Sequence, residues 1–177
     1  MIVVKVGGSL FDHPGLGPGL RAFVAELAPP VLLVAGGGDF ADAVRTLDRV
    51  HALGEERAHR LALRSLAVTG ALLEALALRC ASRPHVLDCH QFARDDDALP
   101  HTWAVTTDSI AARAAVVYGA ARLILLKSID IPSGMSWDAA AASGWVDAHF
   151  PNVVAGAAFA VEAVNFRRWL DRHAAAG

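Results

Sequence analysis

The sequence predicts an α/β protein: a three-layer sandwich with a mainly parallel central sheet and helices on both faces. Two observations indicate this class. Short runs of β-branched and aliphatic residues alternate along the chain with longer segments in which apolar residues recur at helical spacing. Two of the strand-like runs also end in glycines, which separate them from the helix-like segment that follows. This alternation is typical of βαβ units, whose consecutive strands lie parallel in one sheet.

The first half of the chain shows the alternation clearly. Two short aliphatic runs end in glycines, as buried strands do. Pro18 stands near the start of the intervening helix, where a missing N–H costs little. Asp39 is predicted to cap the helix after the second strand. The predicted elements are strands at 2–6 and 31–35 and helices at 17–27, 39–50 and 55–79, the last with a bend near Thr69-Gly70.

The second half continues the pattern with one polar interruption. A short strand that ends at Cys89 leads into a polar loop with an aspartate run at 95–97. A helix then begins at Thr107-Asp108-Ser109 and ends at Gly119. No internal repeat or Pro-, Gly- and Ser-rich linker divides the chain, so a single domain is predicted. The elements are strands at 85–89, 122–127 and 159–164 and helices at 107–119, 137–142 and 166–173.

Composition excludes several classes of function. Of 177 residues, 54% are hydrophobic and 19% charged, which permits a sizeable core. A net charge of -2 and the lack of a basic run argue against a nucleic-acid partner. No apolar run reaches the ~18 residues of a membrane span, and no export signal is visible at the start. Cys80 and Cys89 lack paired spacing, so we predict a cytoplasmic protein with structural cysteines.

Lys5 is the first residue that points to chemistry, because it interrupts an apolar strand. It either reaches solvent or faces an anion, since burial of an unpaired ammonium is costly. Gly7-Gly8-Ser9 follow this strand and Gly36-Gly37-Gly38 follow the next, and glycine loops let backbone amides approach phosphate closely. Lys127-Ser128-Ile129-Asp130 follow a later strand at the same predicted sheet edge. The pattern predicts a phosphate-sized anion site there.

Two familiar phosphate motifs do not explain these glycines. The Walker A pattern is absent. Gly36, Gly38 and Ala41 match the dinucleotide pattern G-x-G-x-x-A, but the pattern requires a second strand with an acidic residue about 20 residues later. The corresponding stretch, LGEERAHRL, is helical in character. The dinucleotide interpretation is therefore disfavoured.

Four motifs taken together resemble the amino acid kinase superfamily, which includes the acetylglutamate, aspartate, uridylate and isopentenyl phosphate kinases. They are KVGGSL, VAGGGDFADAVR, VTTDSIAARAA and LILLKSID, in the order of that superfamily, across about residues 1 to 131. Within it, WAVTTDSIAA, LLKSID and GWVDAHF look closest to the aminomethyl-furanmethyl phosphate kinases of methanofuran biosynthesis.

The resemblance implies roles for individual residues. Lys5 would contact the phosphoryl group in transit, and Asp108 would orient the catalytic lysine. The glycines after the first two strands would donate amides to the phosphates, and the loop that holds Lys127, Ser128 and Asp130 would lie on the nucleotide side. Further candidates, for contacts with the acceptor, are Arg45, Arg64, Thr106 and Thr107.

The resemblance also implies ATP and Mg²⁺ as cofactors, a small-molecule acceptor with a phosphate group, and a homodimer or larger homo-oligomer. Residues 1–119 would form the acceptor and phosphate lobe, and 120–177 a shortened nucleotide lobe. No protein-built metal site is predicted, because the aspartate run reads as a solvated loop and the histidines fit no metal spacing.

Two departures from the superfamily pattern leave an alternative open. Ile131 stands where a glycine usually follows the aspartate. No lysine follows Lys127, although the superfamily normally has a Gly-Gly-Met-x-x-Lys helix there. Either Lys127 or an arginine takes over the second phosphate contact, or ATP binding is impaired. In the last case the chain would be a weak or inactive nucleotide- or phosphate-binding sensor or storage protein of the same fold.

Overall fold

The computed structural model describes residues 1–77, 84–94 and 96–174. Strands and helices alternate as predicted. The strands are β1 (Ile2–Val6), β2 (Val31–Ala35), β3 (His85–Val86), β4 (Arg122–Lys127) and β5 (Ala160–Asn165). The helices are α1 (Leu16–Ala25), α2 (Gly38–His51), α3 (Glu55–Ala77), α4 (Cys89–Arg94), α5 (Thr107–Val117), α6 (Trp137–Ala142), α7 (Phe150–Val154) and α8 (Phe166–Ala174), and a 3₁₀ turn, Gly8–Leu10, follows β1.

All five strands lie parallel in one sheet, in the order β3-β2-β1-β4-β5. The chain moves outward from β1 to β3 and then returns to the other side of β1. The direction of the strand order therefore reverses between β1 and β4. In open parallel sheets, ligands bind outside the carboxyl ends of the strands at such a reversal. The topology thus marks one place for a site.

Helices cover both faces of the sheet. Consecutive residues of a strand point to opposite sides, so a strand that is buried throughout presents side chains to a helix layer on each face. Val3 and Leu125 belong to a core that includes residues of α5. Val4 and Ile124 belong to a second core, with residues of α1 and α8. The predicted class, an α/β sandwich with a parallel sheet and helices on both faces, is confirmed.

Some boundaries differ from the prediction. Asp39 was expected to cap α2, but Gly37 is the N-cap and Asp39 lies in the first turn. The strand expected at 85–89 spans two residues, and Cys89 begins helix α4 instead. The reason lies in Asp88, whose side chain accepts the amide of Gln91 at 2.9 Å, as a helix cap does. Helix α3 continues through Gly70 without interruption, and its predicted end at Arg79 falls outside the described residues.

Two findings bear on the predictions from composition. Within the described ranges, no helix is both long and apolar enough to cross a membrane. Burial raises the pKa of the Cys89 thiol to about 12, so this side chain stays protonated and fits a structural role. Cys80 lies outside the described residues.

Candidate active site

Lys5, Asp108 and Lys127 meet where the strand order reverses. The Lys5 Nζ lies 2.9 Å from Asp108 Oδ1. The Lys127 Nζ donates to both oxygens of the same carboxylate, at 2.8 Å to Oδ1 and 2.7 Å to Oδ2. All three residues are buried, with exposed fractions of 5%, 4% and 9%. We call these three residues the Lys–Asp–Lys cluster.

Sheet register and a helix start explain how the cluster forms. Lys5 on β1 is opposite Leu125 on β4, and Lys127 follows two residues later, so both lysines point to the same face of the sheet. Asp108 lies in the first turn of α5, which packs on that face. The Thr106 hydroxyl caps this helix by accepting the amide of Asp108 at 3.4 Å.

The electrostatics of the cluster are unbalanced. Burial alone would raise the pKa of Asp108, but the charges and hydrogen bonds of Lys5 and Lys127 outweigh it and lower that pKa. Burial also lowers the pKa of Lys127 to about 8, and the like charge of Lys5 acts in the same direction against the attraction of Asp108. Two ammonium groups thus share one carboxylate in a buried place. A bound anion would supply the missing negative charge.

A cavity of about 370 Å³ lies beside the cluster, and Lys5 is part of its lining. The loops after β1 and β2 form one wall through Gly8, Ser9, Gly37 and Gly38. The cavity is therefore bordered by a cation and by loops without bulky side chains. The anion site that the sequence predicts would lie at this end of the cavity.

The two glycine loops touch each other through their backbones. A Cβ on Gly8 would lie 2.2 Å from the Gly38 nitrogen, and one on Gly36 would lie 2.3 Å from the Gly8 nitrogen. The amide of Gly7 donates to Leu126 O, and that of Gly36 donates to Val6 O, both at 2.8 Å. These two amides are paired within the fold. The prediction that Gly7 donates an amide to phosphate is therefore wrong for this arrangement, and Gly36 likewise serves the packing of the loops.

The loop after β4 lies near the cluster only at its beginning. Ser128 Oγ is 2.9 Å from Ser9 Oγ and joins the loops after β4 and β1. Asp130 points elsewhere: it accepts from Arg168 Nη2 of α8 at 2.6 Å in an exposed ion pair. The structure thus brings Lys127 and Ser128 to the site and leaves Asp130 at the surface.

The far end of the cavity contains an aromatic ring and charged groups. The Arg45 guanidinium lies 4.8 Å from the centre of the Trp103 ring, and its Nη1 donates to Asp42 Oδ1 at 2.6 Å. All three residues line the cavity, and so does buried His59, which sequence reasoning did not select as a site residue.

The four acceptor candidates separate into two places. Arg45, Thr106 and Thr107 line this cavity. Arg64 instead lines a smaller pocket of about 170 Å³, which shares His59 and Leu63 with it. The structure therefore does not bring Arg64 beside the other candidates.

Asp147 is a residue that sequence reasoning missed. Its carboxylate accepts hydrogen bonds from Thr106 and Ser109 of the α5 start and from the amides of His149 and Phe150 at the start of α7. The motif GWVDAHF contributed to the resemblance, but nothing in it singled out this aspartate. Its partners in α5 are 38 and 41 residues away, so only the tertiary structure reveals the contact.

No metal centre is built from side chains within the described part of the chain, where no three His, Cys, Asp or Glu residues are grouped suitably. In the aspartate run, Asp96 pairs with Arg113, with 2.6 Å between Oδ2 and Nε. Asp95 lies outside the described residues.

Known proteins resemble the chain in sequence and in fold. No protein-family profile matches it. A curated relative, the (5-(aminomethyl)furan-3-yl)methyl phosphate kinase of Methanocaldococcus jannaschii, is 24% identical over 144 residues, which cover 73% of this chain and 67% of the relative. Uridylate kinase from Archaeoglobus fulgidus superposes with a TM-score of 0.66 at 14% identity over 96% of this chain and 95% of that one. UMP kinase from Ureaplasma parvum superposes with a TM-score of 0.59 at 16% identity over 93% of this chain and 88% of that one.

The chain thus has the fold of the amino acid kinases. The resemblance to that superfamily carried by the four sequence motifs is confirmed as a likeness in sequence and in fold, since the curated relative and both structural neighbours are members of it.

Proposed function

We propose that this chain is an ATP-dependent small-molecule kinase that transfers the γ-phosphoryl group of ATP to a phosphate group on its acceptor. The observation that carries this proposal is the Lys–Asp–Lys cluster, where one carboxylate lies between two buried ammonium groups beside a glycine-lined cavity. Phosphoryl transfer depends mainly on positioning and on neutralisation of charge on the transferred group. A buried site in which two ammonium groups contact a single carboxylate is suited to that task.

Each member of the cluster has a distinct part in this proposal. Lys5 lines the cavity, so its ammonium would contact the phosphoryl group in transit. Asp108 would keep both ammonium groups in place. Lys127 would replace the missing second lysine, since both lysines contact Asp108 Oδ1 and their ammonium groups lie within two hydrogen-bond lengths of each other. The main alternative to this last assignment is an arginine in the same role.

The residues present fit a polyphosphate ligand. Gly8, Ser9, Gly37 and Gly38 border the cavity next to Lys5, where phosphate oxygens would meet backbone atoms. Mg²⁺, when bound with the nucleotide, would shield the β- and γ-phosphates. This ion is commonly held by phosphates, waters and one or two carboxylates, so the site needs no larger cage of protein ligands.

The acceptor that we propose is an aminomethyl-furanmethyl phosphate, the substrate class in the name of the curated relative. The far end of the cavity supports this choice. The face of Trp103 suits a flat ring, and the carboxylate of Asp42 suits an ammonium group. Because Arg45 contacts both groups, it would have to give way to such an acceptor.

A panel of phosphate-bearing acceptors tests the proposal. Each would be incubated with ATP and Mg²⁺, with ADP release as the first readout and phosphorus NMR of the product as the second. We expect the aminomethyl-furan phosphate to give ADP together with a diphosphate product. Lys5→Ala would serve as the matched inactive control. ATP binding without ADP release from any acceptor would contradict the kinase proposal.

A nucleotide- or phosphate-binding sensor or storage protein is the second candidate. Two features favour it: residues 128–177 contain no lysine, and Ile131 replaces the usual glycine. Calorimetry of ATP binding, combined with the acceptor panel, separates the two. Binding with no turnover supports the second candidate, and turnover excludes it.

We further propose that the chain forms a homodimer or a larger closed assembly through α3. Leu61, Val68 and Leu72 of that helix have exposed fractions of 39%, 49% and 40%. Their spacing places them along one side of the helix, and a symmetric interface would cover such a stripe. Light scattering of the parent and of Val68→Asp tests this. A monomeric mass for the parent would contradict it.

A further inference from the structure

The carboxylate of Asp147 accepts an unusual number of hydrogen bonds. Its Oδ2 accepts from the Thr106 amide, the Thr106 hydroxyl and the Ser109 amide, each at 2.9 Å. Its Oδ1 accepts from the Ser109 hydroxyl at 2.5 Å and from the amides of His149 and Phe150 at 3.1 Å and 2.9 Å. One side chain thus joins the starts of two helices, α5 and α7.

Two of the residues that donate to Asp147 flank Asp108 in the sequence. Thr106 and Ser109 lie two residues before and one residue after Asp108, so Asp147 fixes the turn of backbone that carries the cluster's carboxylate. The same contact fixes the lining of the cavity, because Thr106 and Gly144, from the segment before Asp147, both border it. The packing of α7 against α5 supports this contact, since buried Phe150 and Ile110 share one core.

Charge supports the same assignment. A carboxylate beside the first turn of α5 interacts favourably with the amides and the positive end of that helix. Burial and Lys5 lower the pKa of Lys127, whereas Asp147 is among the groups that raise it, together with Asp108. Removal of the Asp147 charge should therefore alter Lys127 as well as the backbone.

We propose that Asp147 is a positioning residue for phosphoryl transfer, which holds the α5 start so that Asp108 orients Lys5 toward the cavity and keeps Lys127 beside it. This inference rests on the kinase function proposed above. Asp147 does not line the cavity, so it acts through Asp108 and not on the substrate.

The test compares Asp147→Asn with Asp138→Asn. Asp147 precedes α7 by three residues, and Asp138 lies in the first turn of α6. Both are aspartates near a helix start and Asp138 is exposed, so it serves as the control. In Asp147→Asn, an NH₂ group would replace one of the two accepting oxygens, and in either orientation of the amide it would face backbone N–H donors from which it cannot accept. We expect kcat to fall about 10²-fold, as it does when catalytic groups are slightly misplaced, with a much smaller change in the KM for ATP. Asp138→Asn should match the parent.

A second variant separates positioning from loss of fold. Ser109→Ala removes one donor to Asp147 without any change of charge, and we expect a several-fold fall in kcat. In the double variant with Asp147→Asn, the second substitution should add little, because both act through the same contact. Fully additive effects, or an Asp147→Asn kcat within twofold of the parent, would overturn the inference.

A measurement without turnover distinguishes failure of this inference from failure of the kinase proposal. NMR titration of the Lys127 side chain should show its midpoint at lower pH in Asp147→Asn than in the parent. An unchanged midpoint in a folded variant would overturn the positioning role. If the midpoint shifts but the parent protein phosphorylates no acceptor, the kinase function is contradicted and the positioning role of Asp147 is not.

Discussion

Two charged groups that follow the same strand, β4, differ sharply in their surroundings. Lys127 ends the strand and is buried against Asp108, which it shares with Lys5. Asp130 lies three residues later and pairs with Arg168, and the side chains of this pair are 53% and 61% exposed. The first group has two cations and one anion, whereas the second is a balanced pair in water.

The difference shows which charges indicate a ligand. An exposed pair such as Asp130–Arg168 is solvated and contributes about 0–1 kcal/mol to stability. A buried cluster with an excess ammonium is costly unless an anion completes it. The sequence assigned Lys127 and Asp130 to one phosphate-binding loop. Burial separates them, and the following predictions test that separation.

Lys5→Ala should have the largest effect. Loss of the ammonium that borders the cavity should lower kcat about 10³-fold, because charge on the transferred phosphoryl group is no longer neutralised. The fold should remain, since Asp108 and Lys127 then form a balanced pair, and thermal unfolding checks this. Turnover within a few-fold of the parent would contradict the proposed role of Lys5.

Lys127→Met should have the next largest effect. We expect weaker ATP binding in calorimetry and a loss of transfer of about 10²-fold or more. Lys127→Arg keeps the charge in a different shape, so it should retain part of both properties. If Lys127→Met binds ATP as the parent does, the replacement of the missing second lysine must be sought among the arginines.

The pH dependence should report Lys127 directly. Its pKa is about 8, so kcat/KM should fall about tenfold per unit as pH rises above that value and the ammonium is lost. In Lys127→Arg this fall should be absent, because arginine stays charged. A parent profile that stays level through about pH 9.5 would mean that the lysine is not required as a cation.

The contribution of Lys127 to stability should change with pH in the opposite direction to kcat/KM. The pKa of Lys127 lies below its ordinary value in the folded chain, so the unfolded chain binds more protons between these two values. The contribution of Lys127 to the free energy of unfolding therefore rises with pH in this window. Denaturant unfolding of the parent and Lys127→Met at both ends of the window measures that contribution by difference.

Arg168→Ala should have the smallest effect. The partner that remains, Asp130, is exposed and becomes solvated, so stability should change by less than about 1 kcal/mol. Turnover should stay within about twofold of the parent if Asp130 lies outside the site, as its position suggests. A loss as large as that of Lys127→Met would restore Asp130 to the nucleotide site.

Much of the fold could be predicted from local pattern. The aliphatic runs of β1, β2 and β4 gave their strand bounds directly, because buried parallel strands are continuously apolar. Helix α4 could not be predicted from local pattern. Its start depends on a single cap by Asp88, and this aspartate lies within a run of residues with a strand-like pattern. Short helices have too few residues for a periodic signal.

The site could be predicted where a residue is unusual in its local sequence. Lys5 interrupts an apolar strand, and Asp108 opens a helix, so both stood out. Asp147 did not, because a lone aspartate in a loop has no distinctive spacing. Its role arises from donors that the fold brings together from distant parts of the chain.

The close contact of the glycine loops has a consequence for protein engineering. Valine at Gly37 would place a Cβ 2.5 Å from that of Ala41, and Gly38 has a φ of 53°. Substitutions at these two positions would therefore disturb the backbone of the loops, whether or not a ligand binds there. Gly8 is equally constrained by Gly38. A library for altered acceptor choice should therefore leave these loops unchanged. It should vary Asp42 and Trp103, whose side chains border the cavity without supporting the crossing of the two loops.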